Sequence, residues 1–105
     1  MGPPTFTQYA GVTALRHGEN FLEQQKILWR KNQDLVNDYF FPLQEFVSFT
    51  PSGTAFYTFF KINGCSDSCN LAKYLIDEAG VSLTPGGAFG DGFGDYLRLC
   101  YAVVV

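Results

Sequence analysis

The apolar positions in the first third of the chain recur with a helical period. They predict one helix over residues 6–16, which Thr5 can cap, and a longer helix over residues 19–40. In the longer helix the apolar residues recur at spacings near three, four and seven, which predicts a single buried stripe. Its members are Phe21, Leu22, Ile27, Leu28, Trp29, Leu35, Val36, Tyr39 and Phe40.

Turn-forming residues are expected to end both helices. Gly18 follows the first helix and suits the left-handed conformation that often closes a helix. The pair Phe41-Pro42 is expected to stop the second helix, because proline biases the residue before it away from helical geometry.

After Pro42 the pattern changes to strands and one further helix. Residues 55–62 are rich in aromatic and β-branched side chains and predict the clearest strand, with further strands over 46–49, 81–83 and 96–105. A third helix is predicted over residues 70–79, capped by Asp67 or Ser68 and ended by Gly80. Its expected inner face is Leu71, Ala72, Leu75 and Ile76. This order predicts an α/β (α+β two-layer) fold with helices packed on one face of a small sheet.

Composition narrows the class of protein. The chain has 105 residues, of which 47% are hydrophobic and 16% charged, so disorder is excluded and one domain over residues 1–105 is expected. The 11 Phe, 6 Tyr and 1 Trp are more aromatic side chains than one small core is expected to hold, so some of them should face a partner surface. The net charge of −3 argues against nucleic acid or an anionic membrane as the main ligand.

The setting is predicted to be cytoplasmic. No apolar stretch approaches the roughly 18 residues that span a bilayer, and the N-terminus lacks the basic and apolar regions of a signal peptide. The three cysteines, Cys65, Cys69 and Cys100, cannot all pair within the chain, which favours a reducing compartment.

Three familiar kinds of site are not expected. The glycine-rich loop over residues 85–94 precedes a strand, whereas a phosphate-binding loop precedes a helix. The three cysteines lack zinc-knuckle spacing and are expected to be free thiols, with Cys100 buried in a strand. His17 lies far from any candidate serine nucleophile, so we expect no catalytic residue, no metal ligand and no cofactor-binding residue.

Arg98 is the residue that the pattern singles out, because it interrupts an otherwise apolar strand. If Leu97, Leu99 and Tyr101 face the core, Arg98 and Cys100 face the opposite side. The planar guanidinium fork of arginine suits a carboxylate bidentately. The residues alone leave open a bound carboxylate, a structural ion pair and an exposed edge position.

Several segments together resemble one family. They are Gln8-Tyr9-Ala10 with Ala14-Leu15, then Thr54-Ala55-Phe56-Tyr57-Thr58-Phe59-Phe60, then the run from Asp67 to Gly90 containing Pro85-Gly86-Gly87-Ala88-Phe89-Gly90, and finally Gly94-Asp95-Tyr96-Leu97-Arg98-Leu99-Cys100-Tyr101-Ala102. In this order they resemble the C-terminal small domain of the class I/II aminotransferases, which are fold-type I enzymes that use pyridoxal 5′-phosphate (PLP).

The resemblance implies a role for Arg98 and a set of partners. The matching arginine of the family grips the α-carboxylate of the amino-acid or keto-acid substrate, which implies that Arg98 is the substrate-binding residue. The complete enzyme would use PLP, pair this domain with a large domain of the same enzyme, and form a homodimer. The glycine-rich loop would lie beside the substrate pocket.

The chain also departs from the family pattern. The lysines are Lys26, Lys31, Lys61 and Lys73, and none has the sequence context of the family's Schiff-base lysine. The resemblance therefore predicts a fragment without the large PLP-binding domain, with no cofactor bound and no activity when isolated. Two alternatives stay open: a stand-alone α/β protein-interaction module, and the small domain of another fold-type I PLP enzyme, an acyltransferase or a lyase.

Overall fold

The computed structural model describes residues 2–103, which form three α-helices, two short 3₁₀ helices and four strands. The α-helices are α1 (Thr5–His17), α2 (Glu19–Phe40) and α3 (Ser68–Ala79). The strands are β1 (Val47–Phe49), β2 (Tyr57–Ile62), β3 (Thr84–Pro85) and β4 (Tyr96–Cys100). The 3₁₀ helices are Phe41–Leu43 and Gly86–Phe89. Within residues 2–103, no helix has both the length and the hydropathy needed to cross a membrane.

The four strands form one sheet in the order β1-β2-β4-β3, with every neighbouring pair antiparallel. Strand β4 is the last along the chain but lies inside the sheet, between β2 and β3. Successive side chains of a strand point to opposite faces, so the register assigns each residue to a face. Phe59 and Thr84 pair with Arg98, whereas Phe60 and Pro85 pair with Leu97.

The core lies between one face of the sheet and the helices α2 and α3. Its buried members are Val47, Phe60 and Leu97 from the sheet and Ala72 from α3. The ring of Phe40, at the end of α2, packs 4.9 Å from the ring of Phe60. The predicted two-layer α/β fold with helices on one sheet face is therefore confirmed.

Helix α2 has the predicted bounds, but the predicted stripe is mostly not buried. Phe21 is 66% exposed, and Ile27 and Tyr39 are each 71% exposed, whereas the one fully buried residue of the helix is Asn32. A helix of 22 residues is about 33 Å long, whereas four strands span only about 15 Å across a sheet, so a sheet of this size cannot cover such a helix over its whole length. Tyr39 is exposed although its neighbour Phe40 packs on the core, because the two side chains point to different sides of the helix.

Helix α1 has no buried residue, so it projects from the core and lengthens the molecule. The radius of gyration is 17.3 Å, against about 13 Å for a compact domain of this length.

Three of the predicted helix ends differ in detail from the structure. Thr5 does not cap α1; Pro4 precedes the helix and its carbonyl oxygen accepts from the amide and the hydroxyl of Thr7, the latter at 2.6 Å. Gly18 is right-handed, with φ −84°, and is needed because a Cβ there would collide with the carbonyl oxygen of Ala14. Phe41 keeps helical angles before Pro42, so α2 passes into a 3₁₀ turn.

The predicted caps of α3 are confirmed, although the helix begins at Ser68 rather than at residue 70. The Asp67 side chain accepts a hydrogen bond from the Asn70 amide at 3.0 Å, and Gly80 is left-handed with φ 65°. Ile76, however, is 49% exposed and does not belong to the inner face.

The strands are shorter than predicted or shifted. The strand expected over 81–83 lies instead at Thr84–Pro85, and β2 begins only at Tyr57. The last strand ends at Cys100 rather than at 105, and residues 104–105 of that prediction lie outside the described residues.

Candidate functional site

Arg98 lies on the outer face of β4, away from the helices. Leu97 is fully buried and Leu99 packs against the core, so the predicted alternation is confirmed. Cys100 shares the outer face with Arg98 and is exposed, which corrects the expectation of a buried thiol. Arg98 is therefore half-buried on an interior strand of the sheet, with neighbouring strands on both sides.

Two aromatic rings flank the guanidinium of Arg98. Its Cζ lies 4.2 Å from the ring centroid of Tyr57 and 4.3 Å from that of Phe89. Tyr57 belongs to β2 and Phe89 to the 3₁₀ helix that follows β3, so the rings approach from opposite sides of β4. A cation this close to a ring centroid is attracted by the negative ring face.

The Arg98 guanidinium has an N–H donor that no acceptor among residues 2–103 satisfies. Its Nε is buried and has no hydrogen-bond partner among residues 2–103. The ion pairs in the same range are Lys26 with Glu23 at 2.8 Å and Lys61 with Asp95 at 3.5 Å, so Arg98 has no carboxylate partner there. Because a buried, unpaired donor on a charged group is costly, the arrangement suits an anionic ligand.

More aromatic rings continue the outer face beyond Arg98. Phe59 stacks on Tyr96 with their centroids 4.9 Å apart, and Phe93 meets Phe59 edge-on at 5.4 Å. Phe89 also meets Phe59 edge-on, at 6.2 Å. Part of the aromatic excess therefore lies on an exposed sheet face rather than in the core.

The glycine-rich segment after β3 is more ordered than a simple loop. It begins with the 3₁₀ helix Gly86–Phe89, and a Cβ on Gly86 would lie 2.8 Å from the Cβ of Tyr96. Only glycine therefore allows the segment to start this close to β4. Its far end is held by the Ser68 amide, which donates to the carbonyl oxygen of Gly94 at 2.9 Å.

Sequence reasoning found Arg98 but missed its aromatic neighbours Tyr57 and Phe89. Tyr57 could have been found, because strand alternation places it on the same face as Phe59 once β2 is paired with β4. Phe89 carried no such signal, since it lies outside the strands.

The other candidate groups do not gather into a site. Cys65 is half-buried and Cys69 is exposed; both are free thiols, as predicted. Within the described range, no group of three or more His, Cys, Asp or Glu side chains is placed to hold a metal ion. A groove of about 390 Å³ along β1 reaches Phe59 and Tyr96 but is not lined by Arg98.

The four lysines do not fit PLP. Lys26 and Lys31 are exposed on α2, and Lys73 is exposed on α3. The Lys61 side chain is 36% exposed, and its Nζ lies 3.5 Å from Asp95 and 5.5 Å from the ring centroid of Tyr96. A lysine that forms a Schiff base is activated by desolvation or by a neighbouring cation, and none of the four has such surroundings.

Comparison with known proteins finds aminotransferases both by sequence and among the solved structures. A "probable aspartate/prephenate aminotransferase" of Rickettsia prowazekii is 30% identical over 112 residues, which cover 95% of this chain and 27% of that protein. The aromatic aminotransferase of Pyrococcus horikoshii superposes with a TM-score of 0.82 at 28% identity, over 97% of this chain and 28% of that one. The aspartate aminotransferase of Thermotoga maritima superposes at 0.76 with 29% identity, over 96% and 24%.

No family model matches the sequence. The chain spans about a quarter of the length of the curated relatives that it matches. The match nevertheless runs over nearly all of the chain, in sequence and in fold, and the motifs around Arg98 resemble the same family. The chain is thus similar, over nearly its whole length, to a segment of about a quarter of the length of known aminotransferases, which agrees with the predicted resemblance to the small domain of a fold-type I, PLP-dependent aminotransferase.

Proposed function

We propose that this chain is the C-terminal, substrate-binding domain of a PLP-dependent aminotransferase, and that Arg98 binds the α-carboxylate of its amino-acid and 2-keto-acid substrates. The observation that carries the proposal is the state of the Arg98 guanidinium. It is flanked by two rings, its Nε is buried without a partner, and no carboxylate of residues 2–103 neutralises it.

The geometry of a carboxylate explains why arginine suits this position. The guanidinium presents parallel N–H groups that match both oxygens of one carboxylate, so a bound acid is fixed in orientation as well as in place. Fixing the α-carboxylate also fixes the adjoining Cα–H bond, from which a proton must be removed during amino-group transfer. Arg98 would thus act by orienting the substrate.

The remaining chemistry is assigned to a large domain of the same enzyme, in a homodimer. PLP supplies the electron sink for amino-group transfer when it is bound. Because the lysines of this chain do not fit the cofactor, we place the PLP site in the large domain and expect the isolated chain to be inactive. The outer sheet face that carries Arg98 would complete the active site.

A domain graft tests the proposal. This chain replaces the matching segment of the Pyrococcus horikoshii aromatic aminotransferase, and transamination is measured for the graft and for its Arg98→Lys variant. We expect Arg98→Lys to lower kcat/KM for amino-acid and keto-acid substrates by an amount that corresponds to about 1–3 kcal/mol of lost transition-state stabilisation, because lysine cannot make the bidentate contact. The same change at Arg30, an exposed arginine on α2, is the matched control.

The visible absorption of the graft reports whether PLP is loaded, so lost cofactor is distinguished from lost substrate binding. Equal kcat/KM for the Arg98→Lys and Arg30→Lys variants would remove the role assigned to Arg98. A panel of amino acids, acyl thioesters and cysteine conjugates as substrates separates an aminotransferase from an acyltransferase or a lyase.

A further inference from the structure

The geometry points to Tyr57 and Phe89 as positioning residues, whose rings hold the Arg98 guanidinium in the orientation that takes a carboxylate. This inference rests on the proposed function, since it assigns the aromatic rings a role in the binding that Arg98 performs. Neither ring needs to touch the substrate. Each acts through its contact with the cation, with its centroid 4.2 Å (Tyr57) or 4.3 Å (Phe89) from Cζ.

The first support is that no hydrogen bond or ion pair with residues 2–103 orients the Arg98 guanidinium. An arginine in a strand is ordinarily oriented by an ion pair or by hydrogen bonds to its guanidinium. Arg98 has no ion pair among residues 2–103, and its buried Nε has no partner there. The contacts with the rings of Tyr57 and Phe89 therefore define where the guanidinium lies, and they leave its N–H groups free.

The second support is that both rings are themselves held. Tyr57 packs on Phe56, with centroids 4.6 Å apart, and Phe56 packs on Trp29 of α2 at 4.9 Å. On the other side, Phe89 meets Phe59 edge-on, and Phe59 is stacked on Tyr96. The two rings are thus tied to the helix layer and to the sheet, respectively, rather than being free to turn.

The third support is the backbone on either side of Phe89. Gly86 packs too closely against Tyr96 for any side chain, and Gly90 has φ 143°, a conformation that residues with a Cβ rarely adopt. These two glycines bring the intervening segment onto β4 and present Phe89 toward Arg98. Phe89 is 45% exposed, so packing into a hydrophobic core does not explain why its ring lies beside Arg98.

Nuclear magnetic resonance of the full chain tests the inference directly. The chain contains three arginines, Arg16, Arg30 and Arg98, so their side-chain Nε–Hε signals are few and can be assigned by Arg→Lys variants. The protons of Arg98 should be shielded by the neighbouring rings. Acetate is the probe, titrated against chloride at equal ionic strength, because screening alone alters exposed charges.

Three variants separate a positioning role from a merely structural one. Phe89→Leu should reduce the shielding of Arg98 to that of the remaining Tyr57 ring, and it should raise the acetate dissociation constant by about 3- to 30-fold, the range expected for one cation–π contact. Phe89→Tyr, which restores a ring, should keep both properties. Phe93→Leu is the matched control, since Phe93 is similarly exposed on the same segment but packs on Phe59 and Tyr96.

The outcomes differ for the two proposals. If Phe89→Leu binds acetate as tightly as the unaltered chain, or if Phe93→Leu weakens binding equally, the positioning role is wrong while the carboxylate-binding role of Arg98 stands. If acetate does not perturb the Arg98 signal of the unaltered chain, the proposed function fails and this inference fails with it. Circular dichroism of each variant confirms that the comparison is between folded proteins.

Discussion

The side-chain amide of Asn32 donates a hydrogen bond of 2.9 Å to the carbonyl oxygen of Tyr101, a residue 69 positions further along the chain. The same Nδ2 donates to the carbonyl oxygen of Val103 at 2.7 Å. Asn32 is only 4% exposed, so a polar group of the long helix fixes the backbone that leaves β4, the strand that carries Arg98.

Replacing Asn32 by leucine should therefore destabilise the chain by about 2–4 kcal/mol, because two backbone carbonyls lose their donor, one of them in a buried setting and the other in a part-buried one. The free energy of unfolding in urea measures the effect. Asn20→Leu, at an exposed position of the same helix, is the control and should change stability by no more than about 0.5 kcal/mol. Equal effects of the two changes would contradict the anchoring role of Asn32.

Two glycines in the first part of the chain should respond in opposite directions to alanine. Gly11 lies inside α1, and a Cβ added there would meet nothing within 4 Å, so Gly11→Ala should raise helix stability by about 0.5–1 kcal/mol. Gly18→Ala should cost about 1–3 kcal/mol, because its Cβ would collide with the Ala14 carbonyl oxygen. Far-ultraviolet circular dichroism during thermal unfolding compares both variants; a gain from Gly18→Ala would contradict the close approach of Gly18 to the Ala14 carbonyl oxygen.

Leucines at the two extremes of burial should differ sharply in their contribution to stability. Leu97 is fully buried, and Leu97→Ala should lower the free energy of unfolding by about 2–5 kcal/mol. Leu15 is 92% exposed on α1, so Leu15→Ala should change it by less than about 0.5 kcal/mol in the monomeric chain. Urea unfolding at low protein concentration provides both values, and a large loss from Leu15→Ala would mean that α1 packs on the core.

The isolated chain should form no specific lysine adduct with PLP. After addition of PLP and reduction with borohydride, peptide mapping should find only scattered, substoichiometric labelling of the exposed lysines Lys26, Lys31 and Lys73. Lys61, which contacts Asp95, should not be labelled in preference to them. Stoichiometric labelling of one lysine would overturn the placement of the cofactor in a large domain.

The helices of this fold could be predicted well because their signals are local. The bounds of α2 and the caps Asp67 and Gly80 of α3 follow from neighbouring residues alone. The burial of α2 could not be predicted, since apolar periodicity shows which side of a helix could be covered but not whether enough protein is present to cover it.

The candidate site was predictable to the extent that it depends on strand alternation. Alternation placed Arg98 opposite Leu97, and the structure agrees. The contact between Arg98 and Phe89 depends on the path of a glycine-rich segment, and sequence periodicity carries no information about such a path.

Strand β4 is synthesised last of the four yet is flanked by β2 and β3 in the sheet. It carries the most buried side chain of the core, Leu97, beside Arg98. A ribosome-bound intermediate that ends before β4 would thus lack a central side chain of the hydrophobic layer as well as the arginine. Contacts between distant parts of the chain slow folding, so the sheet should close late, and a molecule that completes this step places Arg98 in the same event.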